Sequence, residues 1–375
     1  MSMRTSDFDF DLPGELIAQH PPAERGQSRL LVLSRDSGAI DHTSFPRIGD
    51  HLRAGDLLVL NDTRVFPARL IGHRVPSGGA VECLLLRQLP TPSSQTPTSN
   101  SQLPNAANPE PRIPNPEEWE ALMHPGQKLK PGARVVFEGA NLRLHGEILA
   151  RHFQGRRTIR LWTDEGTPVG TVVEQIGHIP LPPYISRPDE PSDRTRYQTV
   201  YAREAGSVAA PTAGLHFTAE LLDDLRARGI EQVSLTLHVG YGTFKPVRAE
   251  DLEEHEVDPE VYSVSAATAD ALSRALHEGR RIIAVGTTTT RALESLTIGR
   301  GDLVQPSTAN TSLFIHPGHR FRIVQGLVTN FHLPRSSLLM LVAAFTGRER
   351  ILAAYRDAVA HRYRFYSYGD AMLIA

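Results

Sequence analysis

The sequence predicts an α/β protein in which a discontinuous α/β domain carries a small all-β barrel domain as an insertion. Three observations predict it. Strand-like and helix-like runs alternate from about residue 164 onward, short β-like runs with no helical period fill about 62–163, and two β-prone runs, 30–33 and 57–60, precede that block. Alternation implies a largely parallel sheet with helices on its faces. Closely spaced short strands imply a small barrel or sandwich. The early pair of runs then assigns residues 1–61 and 164–375 to the α/β domain and 62–163 to the insertion.

Composition agrees with two globular domains. The chain has 375 residues, of which 40% are apolar, enough for a full core. Cys83 is its only cysteine, which excludes a disulfide framework and any cysteine-based zinc or iron–sulfur site and fits a reducing compartment. The first twelve residues carry Asp7, Asp9 and Asp11 and lack a signal-peptide pattern. The longest apolar run, 338–345, is far short of the roughly 20 residues of a membrane span. These features make the cytoplasm the expected location, with no membrane partner. A net charge of −2 argues against sequence-blind coating of nucleic acid. Only Lys128, Lys130 and Lys245 are lysines; every other cationic side chain is arginine. GC-rich coding would produce that bias, and arginine's planar fork also suits phosphate and base recognition.

Within the β domain, strands are expected at 80–86, 119–123, 134–137, 142–149 and 158–162, with a turn at Lys130-Pro-Gly132. Between the first two lies 88–118, almost all Pro, Ser, Thr, Asn and Gln; such a segment buries too little to offset its ordering entropy and reads as a flexible loop at a hairpin tip. In the α/β domain, Thr218 can cap a helix over 219–228, with Glu220 at the positive end of its dipole. Gly229 ends it and a strand follows at 232–238. A second helix spans 266–278 on Ala269, Leu272 and Leu276, then Gly279 leads to a strand at 282–285. Thr346-Gly-Arg-Glu349 has the form of a capping box opening a last helix faced by Ile351, Leu352, Tyr355 and Val359.

Four segments share one grammar: 207–218 (SVAAPTAGLHFT), 235–244 (LTLHVGYGTF), 282–291 (IIAVGTTTTR) and 326–336 (GLVTNFHLPRS). Each sets an apolar run against Gly, Thr, Asn or His. In open α/β sheets ligands sit beyond the carboxyl ends of the strands, so these four are expected to converge on one site. Gly286 and Thr287–Thr290 follow a strand and open a helix, where backbone N–H groups attract anions, with Arg291 one turn further; helix capping alone is the competing account. Neither a P-loop lysine nor a dinucleotide G-x-G-x-x-G is present. His216, His238 and His332 each end a strand, as base candidates or packed residues, and no acidic side chain of ligand spacing accompanies them, so no metal is expected. The acidic run 253–258, Glu-Glu-His-Glu-Val-Asp, looks metal-like too, with an acidic solvated turn as the preferred account. Asp62 and Arg64 fit either a domain-junction ion pair or the site. Arg156 and Arg157 lie in a basic stretch, 151–160, able to touch phosphates or to form an ordinary hairpin, and the 362–370 stretch sets aromatics beside arginine as base stacking requires, with a plain hydrophobic tail as the competing account.

Taken together, Phe10-Asp-Leu-Pro13, Leu60-Asn-Asp-Thr-Arg64, Ala209-Ala-Pro-Thr-Ala-Gly-Leu-His-Phe217, His238-Val-Gly-Tyr-Gly-Thr-Phe244, Val285-Gly-Thr-Thr, Thr329-Asn-Phe-His-Leu-Pro334, Leu338-Leu-Met-Leu341 and Phe365-Tyr-Ser-Tyr-Gly-Asp370 closely resemble the S-adenosylmethionine:tRNA ribosyltransferase-isomerase family of queuosine biosynthesis. Two departures stand out: the long 88–118 stretch, and Asp258 where relatives often carry histidine.

The resemblance implies a Rossmann-like α/β domain with an inserted barrel, a monomer, and no metal or other cofactor. It implies transfer of the ribosyl unit of S-adenosylmethionine onto 7-aminomethyl-7-deazaguanine at the tRNA wobble position, with isomerisation to epoxyqueuosine and release of adenine and methionine. The sulfonium acidifies the C5′ protons, so a modest base can start the reaction; His216 or His332 is the first candidate, then His238. Thr287, Thr288 or Asp370 can serve the departing adenine, and the Gly286–Thr289 amides or Arg291 the methionine carboxylate. Pro211, Thr212, Gly214, Gly240, Gly242, Thr243, Asn330 and Tyr368 complete the expected S-adenosylmethionine site. Asp62, Arg64, Arg156 and Arg157 are expected at the tRNA or the domain junction. An RNA methyltransferase and a non-catalytic tRNA binder are the alternatives; the first lacks its Gly-rich loop, and the second leaves the polar loops unexplained.

Overall fold

Four parallel strands at the centre of a mixed sheet bring the polar loops to one edge. The computed structural model describes residues 3–90, 115–164, 166–244, 247 and 249–375. Its chain forms two compact units, Met1–Val65 with Leu181–Ala375, and Phe66–Pro180.

The first unit holds nine strands in the order Ser307–Thr311, Glu260–Val264, Glu231–Leu237, Leu57–Asn61, Ile282–Val285, Gly326–Asn330, Ala371–Ile374, Arg29–Leu33 and Ile40–Ser44. The third to sixth run parallel to their neighbours, as do Ala371–Ile374 and Arg29–Leu33. The other junctions are antiparallel. A largely parallel sheet was the expectation; the structure corrects it to a parallel centre with antiparallel margins. The physical reason is connection length: parallel neighbours need a crossover, whereas Arg29–Leu33 and Ile40–Ser44 are joined by a short turn.

Strands buried on both faces carry unbroken apolar runs, and Leu57–Asn61, Ile282–Val285 and Gly326–Asn330 are buried throughout. Their side chains alternate between two cores. Val59, Ile282, Ala284 and Leu327 enter one, with the helices Ala266–His277 and Ser337–Thr346; Leu58, Ile283, Val285 and Val328 enter the other, with Ala219–Ala227. Thr218 caps Ala219–Ala227 by accepting from Leu221 N at 3.1 Å. The capping box expected at Thr346 is absent. Thr346 ends the helix Ser337–Thr346, and Gly347, at φ 97°, opens Arg348–Ala360 with no side-chain cap. A left-handed joint between abutting helices needs glycine and leaves the hydroxyl of Thr346 no N–H to receive.

The second unit is a closed antiparallel barrel ordered Arg156–Thr163, Glu117–His124, Ala80–Gln88, Arg69–Val75, Arg134–Gly139 and Leu142–Arg151, with the helix Val169–Ile176 packed on its wall. Gly72 permits one close approach there: a Cβ would lie 2.1 Å from the carbonyl oxygen of Val136. Ala80–Gln88 and Glu117–His124 pair as a hairpin. Of the 88–118 stretch expected to be flexible, residues 91–114 lie outside the described residues.

Helix Thr287–Glu294 is anchored at its far end by Glu294. Its buried carboxylate accepts the N–H groups of Arg322, Ile323 and Val324 at 2.9, 3.0 and 2.9 Å. Glu294→Ala orphans all three, and each unmet buried donor costs roughly 1–3 kcal/mol. A large fall in the thermal midpoint is expected; a variant as stable as the wild type would refute the anchor.

Candidate active site

A cleft of about 500 Å³, counted out to its open mouth, lies at the carboxyl ends of the central strands in the first unit. Seven of the residues expected at the site line it: Pro211, Thr212, Gly286, Thr287, Thr288, Asn330 and His332. Gly286 (φ 98°) turns the chain from strand into the helix Thr287–Glu294. The four threonines then divide. Thr289 Oγ1 donates to Val285 O at 2.6 Å and Thr290 Oγ1 to Gly286 O at 3.1 Å. Thr287 and Thr288 make no such bond and line the cleft beside the first-turn N–H groups, an anion-accepting arrangement.

Asn330 orders the floor. Its Nδ2 donates to the carbonyl of Tyr366 at 3.1 Å, which fixes the amide orientation, and its Oδ1 accepts from Thr212 Oγ1 at 3.1 Å. The same Nδ2 lies 3.0 Å from His216 Nε2. An amide nitrogen only donates, so His216 Nε2 carries a lone pair and Nδ1 carries the proton, 2.8 Å from Ser28 Oγ. Burial holds His216 down to about 4, the carboxylate of Asp370 opposing that only in part.

The three histidines do not converge. His332 lines the cleft, with Nε2 2.8 Å from Thr329 Oγ1 and no hydrogen bond to Nδ1 among the described residues. Burial lowers it to about 3. His216 sits behind Asn330 and faces a second cleft shared with Arg25, Ser367 and Tyr368. His238 is half-buried, 2.9 Å from Thr63 Oγ1, and packs on Gly206, where a Cβ would come within 2.9 Å of its ring; burial lowers its pKa.

Other expected residues are held elsewhere. Arg291 pairs with Glu260 and donates to Leu313 O at 2.9 Å, while Glu260 accepts Gly240 N at 2.9 Å. Gly242 leaves room for the Asp258 carboxylate, and Thr243 lies in the same turn, Tyr241–Phe244. Gly214 clears the hydroxyl of Tyr201. Both oxygens of Asp370 accept from the chain: Oδ1 from Arg29 N at 2.9 Å, Oδ2 from Arg29 NH2 and Arg364 N, both at 2.8 Å. Tyr368 donates to Asp193 at 2.7 Å. Asp62 pairs with Arg203 and accepts from Thr236, and Arg64 is exposed on the strand Thr63–Val65. In the barrel, Arg156 pairs with Glu120 and Arg157 is buried. His42, Asp357 and His361 could together hold a metal ion, and none of them lines the cleft.

Comparison with known proteins decides the family. Residues 5–374 match the model of the family described as queuosine biosynthesis protein. The chain belongs to that family. A relative from Syntrophotalea carbinolica, named S-adenosylmethionine:tRNA ribosyltransferase-isomerase, is 51% identical over 99% of this chain and 100% of its own. One of the same name from Symbiobacterium thermophilum is 50% identical over the same shares. The crystal structure of S-adenosylmethionine tRNA ribosyltransferase from Thermotoga maritima is 36% identical, covers 99% of this chain and 100% of that one, and superposes with a TM-score of 0.52.

For a queuosine-family protein the cleft also has aromatic walls that sequence reasoning missed. Tyr184 and Tyr366 line it with ring centroids 3.7 Å apart, and the Tyr184 hydroxyl bonds Ser367. Tyr366 holds φ 75°, a strained backbone for a bulky residue. The 362–370 aromatics gave a signal for Tyr366; for Tyr184 the only signal was the proline-rich run before it.

The two buried histidines, His216 and His332, predict a pH effect. Unfolded histidine takes up a proton near 6.5, whereas folded His216 and His332 resist until about 4 and 3. The unfolded state therefore binds more protons in that window, and stability falls as pH drops below about 6.5. Urea midpoints measured from pH 7 to 4 are expected to decline, and to decline less steeply in His216→Gln. An unchanged slope in that variant would remove His216 from the explanation.

Proposed function

We propose that this chain transfers and isomerises the ribosyl unit of S-adenosylmethionine onto 7-aminomethyl-7-deazaguanine in tRNA, giving epoxyqueuosine-tRNA, adenine and methionine. Its match to the queuosine biosynthesis family over residues 5–374 carries the reading. The cleft supports it, because the start of the helix Thr287–Glu294, Asn330 and His332 all line it at the strand ends.

Each element of the cleft then takes a role. The methionine carboxylate binds at the helix start, on the Gly286–Thr288 backbone and the two free hydroxyls. Tyr184 and Tyr366 offer ring faces to the adenine. His332 is the base for the C5′ proton, acting in the tautomer whose Nε2–H donates to Thr329 Oγ1, 2.8 Å away, so that Nδ1 keeps a lone pair. A burial-lowered pKa keeps that nitrogen unprotonated at neutral pH, and the sulfonium supplies the acidity that so weak a base requires. His216 acts behind Asn330 as a positioning residue. The α/β unit is the catalytic domain and the barrel a tRNA-binding domain. The protein works as a cytoplasmic monomer with no metal or other cofactor, S-adenosylmethionine being consumed as a substrate.

Incubation with S-adenosylmethionine and tRNA bearing the aminomethyl-deazaguanine base is expected to release adenine and methionine, and only when that tRNA is present. S-adenosylhomocysteine in their place would establish a methyltransferase instead. His332→Ala is expected to lower kcat by about 100-fold or more, the usual worth of a positioned base. Wild-type turnover in that variant at saturating substrates would exclude His332 as the base.

A further inference from the structure

One end of the barrel presents an aromatic side chain beside two arginines, Arg151 and Arg157. Phe153 is 91% exposed, against 51% for Ile71, the next large apolar side chain among the described residues. It sits in the turn Phe153–Gly155, where Gln154 (φ 54°) and Gly155 (φ 83°) are both left-handed. A cavity of about 470 Å³ opens beside it, lined by Gly126, Gln127, Arg151, His152, Phe153 and Arg157 among others.

The two segments that build this end, 125–133 and 151–158, contain Lys128, Lys130, Arg151, Arg156 and Arg157 and no acidic residue. Glu120 neutralises Arg156. Arg157 is different. It is 1% exposed, and among the described residues its guanidinium donates only to main-chain carbonyls, of Leu129 at 3.0 Å, Arg156 at 2.7 Å and Gly126 at 2.5 Å. It meets no carboxylate among the described residues. Burial and the nearby Arg151 both lower its pKa, as expected of a cation with no counter-charge. A buried, uncompensated guanidinium under a cavity favours an anion inside it.

We propose that this end of the barrel is a docking site for one unpaired RNA nucleotide, its base stacked on Phe153 and its phosphate held between Arg151 and Arg157. Aromatic rings flanked by arginine are how proteins hold splayed-out bases. A protein-binding patch would be contiguously apolar, and Phe153 is a single ring among cations. The proposal rests on tRNA being the substrate, and the nucleotide is one other than the base being modified.

The test uses the full chain and measures Kd for the aminomethyl-deazaguanine tRNA, the tRNA KM, and kcat. Phe153→Ala is expected to raise the tRNA Kd and KM about 10-fold, leaving kcat at saturating tRNA, the S-adenosylmethionine KM and the thermal midpoint unchanged. Phe153→Trp restores affinity. Arg151→Gln reduces the slope of log Kd against log salt by about one. Unaltered tRNA affinity in Phe153→Ala overturns the proposal and leaves a protein partner as the reading of the exposed ring. A wild-type protein that binds tRNA but releases no adenine counts against ribosyl transfer alone, and the Kd comparison still decides the docking site. If the wild type does not bind tRNA, both readings fall.

Discussion

The amide of Asn330 joins three chain segments that are distant in sequence. Its oxygen takes the Thr212 hydroxyl, and its nitrogen reaches both the Tyr366 carbonyl and His216. Asn330 is itself 2% exposed, so losing one of these bonds leaves a polar group poorly placed to find another partner. Because Asn330 ends a central strand, the rigidity of the sheet passes directly to the loops that line the cleft. The strained backbone of Tyr366 is held from the same point: its carbonyl meets Asn330, and its N–H donates to Phe331 O at 3.0 Å. The tautomer of His216 follows from the amide too.

What could be read in advance follows a physical division. Five of the six barrel strands and the central parallel strands are local signals, and each appears where its pattern placed it; the barrel strand Arg69–Val75 was not foreseen. The Thr287–Thr290 run was legible for the same reason, since four threonines at a strand-to-helix joint exceed what capping needs. Which two of them face the cleft depends on helix phase, which the run itself does not show. The histidines show the limit. His238 and His332 do follow strand ends, whereas His216 closes the short helix Thr212–His216 instead; only His332 lines the cleft, because the side on which a loop leaves its strand is set by packing. Tyr184 and the strand Ala371–Ile374 were illegible because tertiary pairing alone makes them what they are.

Arginine dominates the cationic side chains, and the structure uses many of them as internal ties. Arg29 clasps Asp370, Arg291 clasps Glu260, Arg187 clasps Asp193 and Arg281 clasps Asp56; each of these carboxylates is at most 4% exposed. A planar fork that can meet both oxygens of a carboxylate suits such partners better than a lysine does. Buried pairs of this kind contribute little net stability against an apolar replacement, but breaking one leaves a stranded charge. They fix loop positions, as the tie from Arg291 through Glu260 to Gly240 does beside the cleft.

The place of Ala371–Ile374 in the sheet has a consequence for synthesis. This strand lies between Gly326–Asn330 and Arg29–Leu33, so the early hairpin of Arg29–Leu33 and Ile40–Ser44 joins the sheet only through residues made more than 300 positions later. During translation that hairpin waits with an unpaired edge and an apolar face, an exposure that invites misassociation. Closure of the large sheet is therefore a late, long-range event, whereas the barrel contains all of its own strands and can form while the ribosome is still working on the remainder.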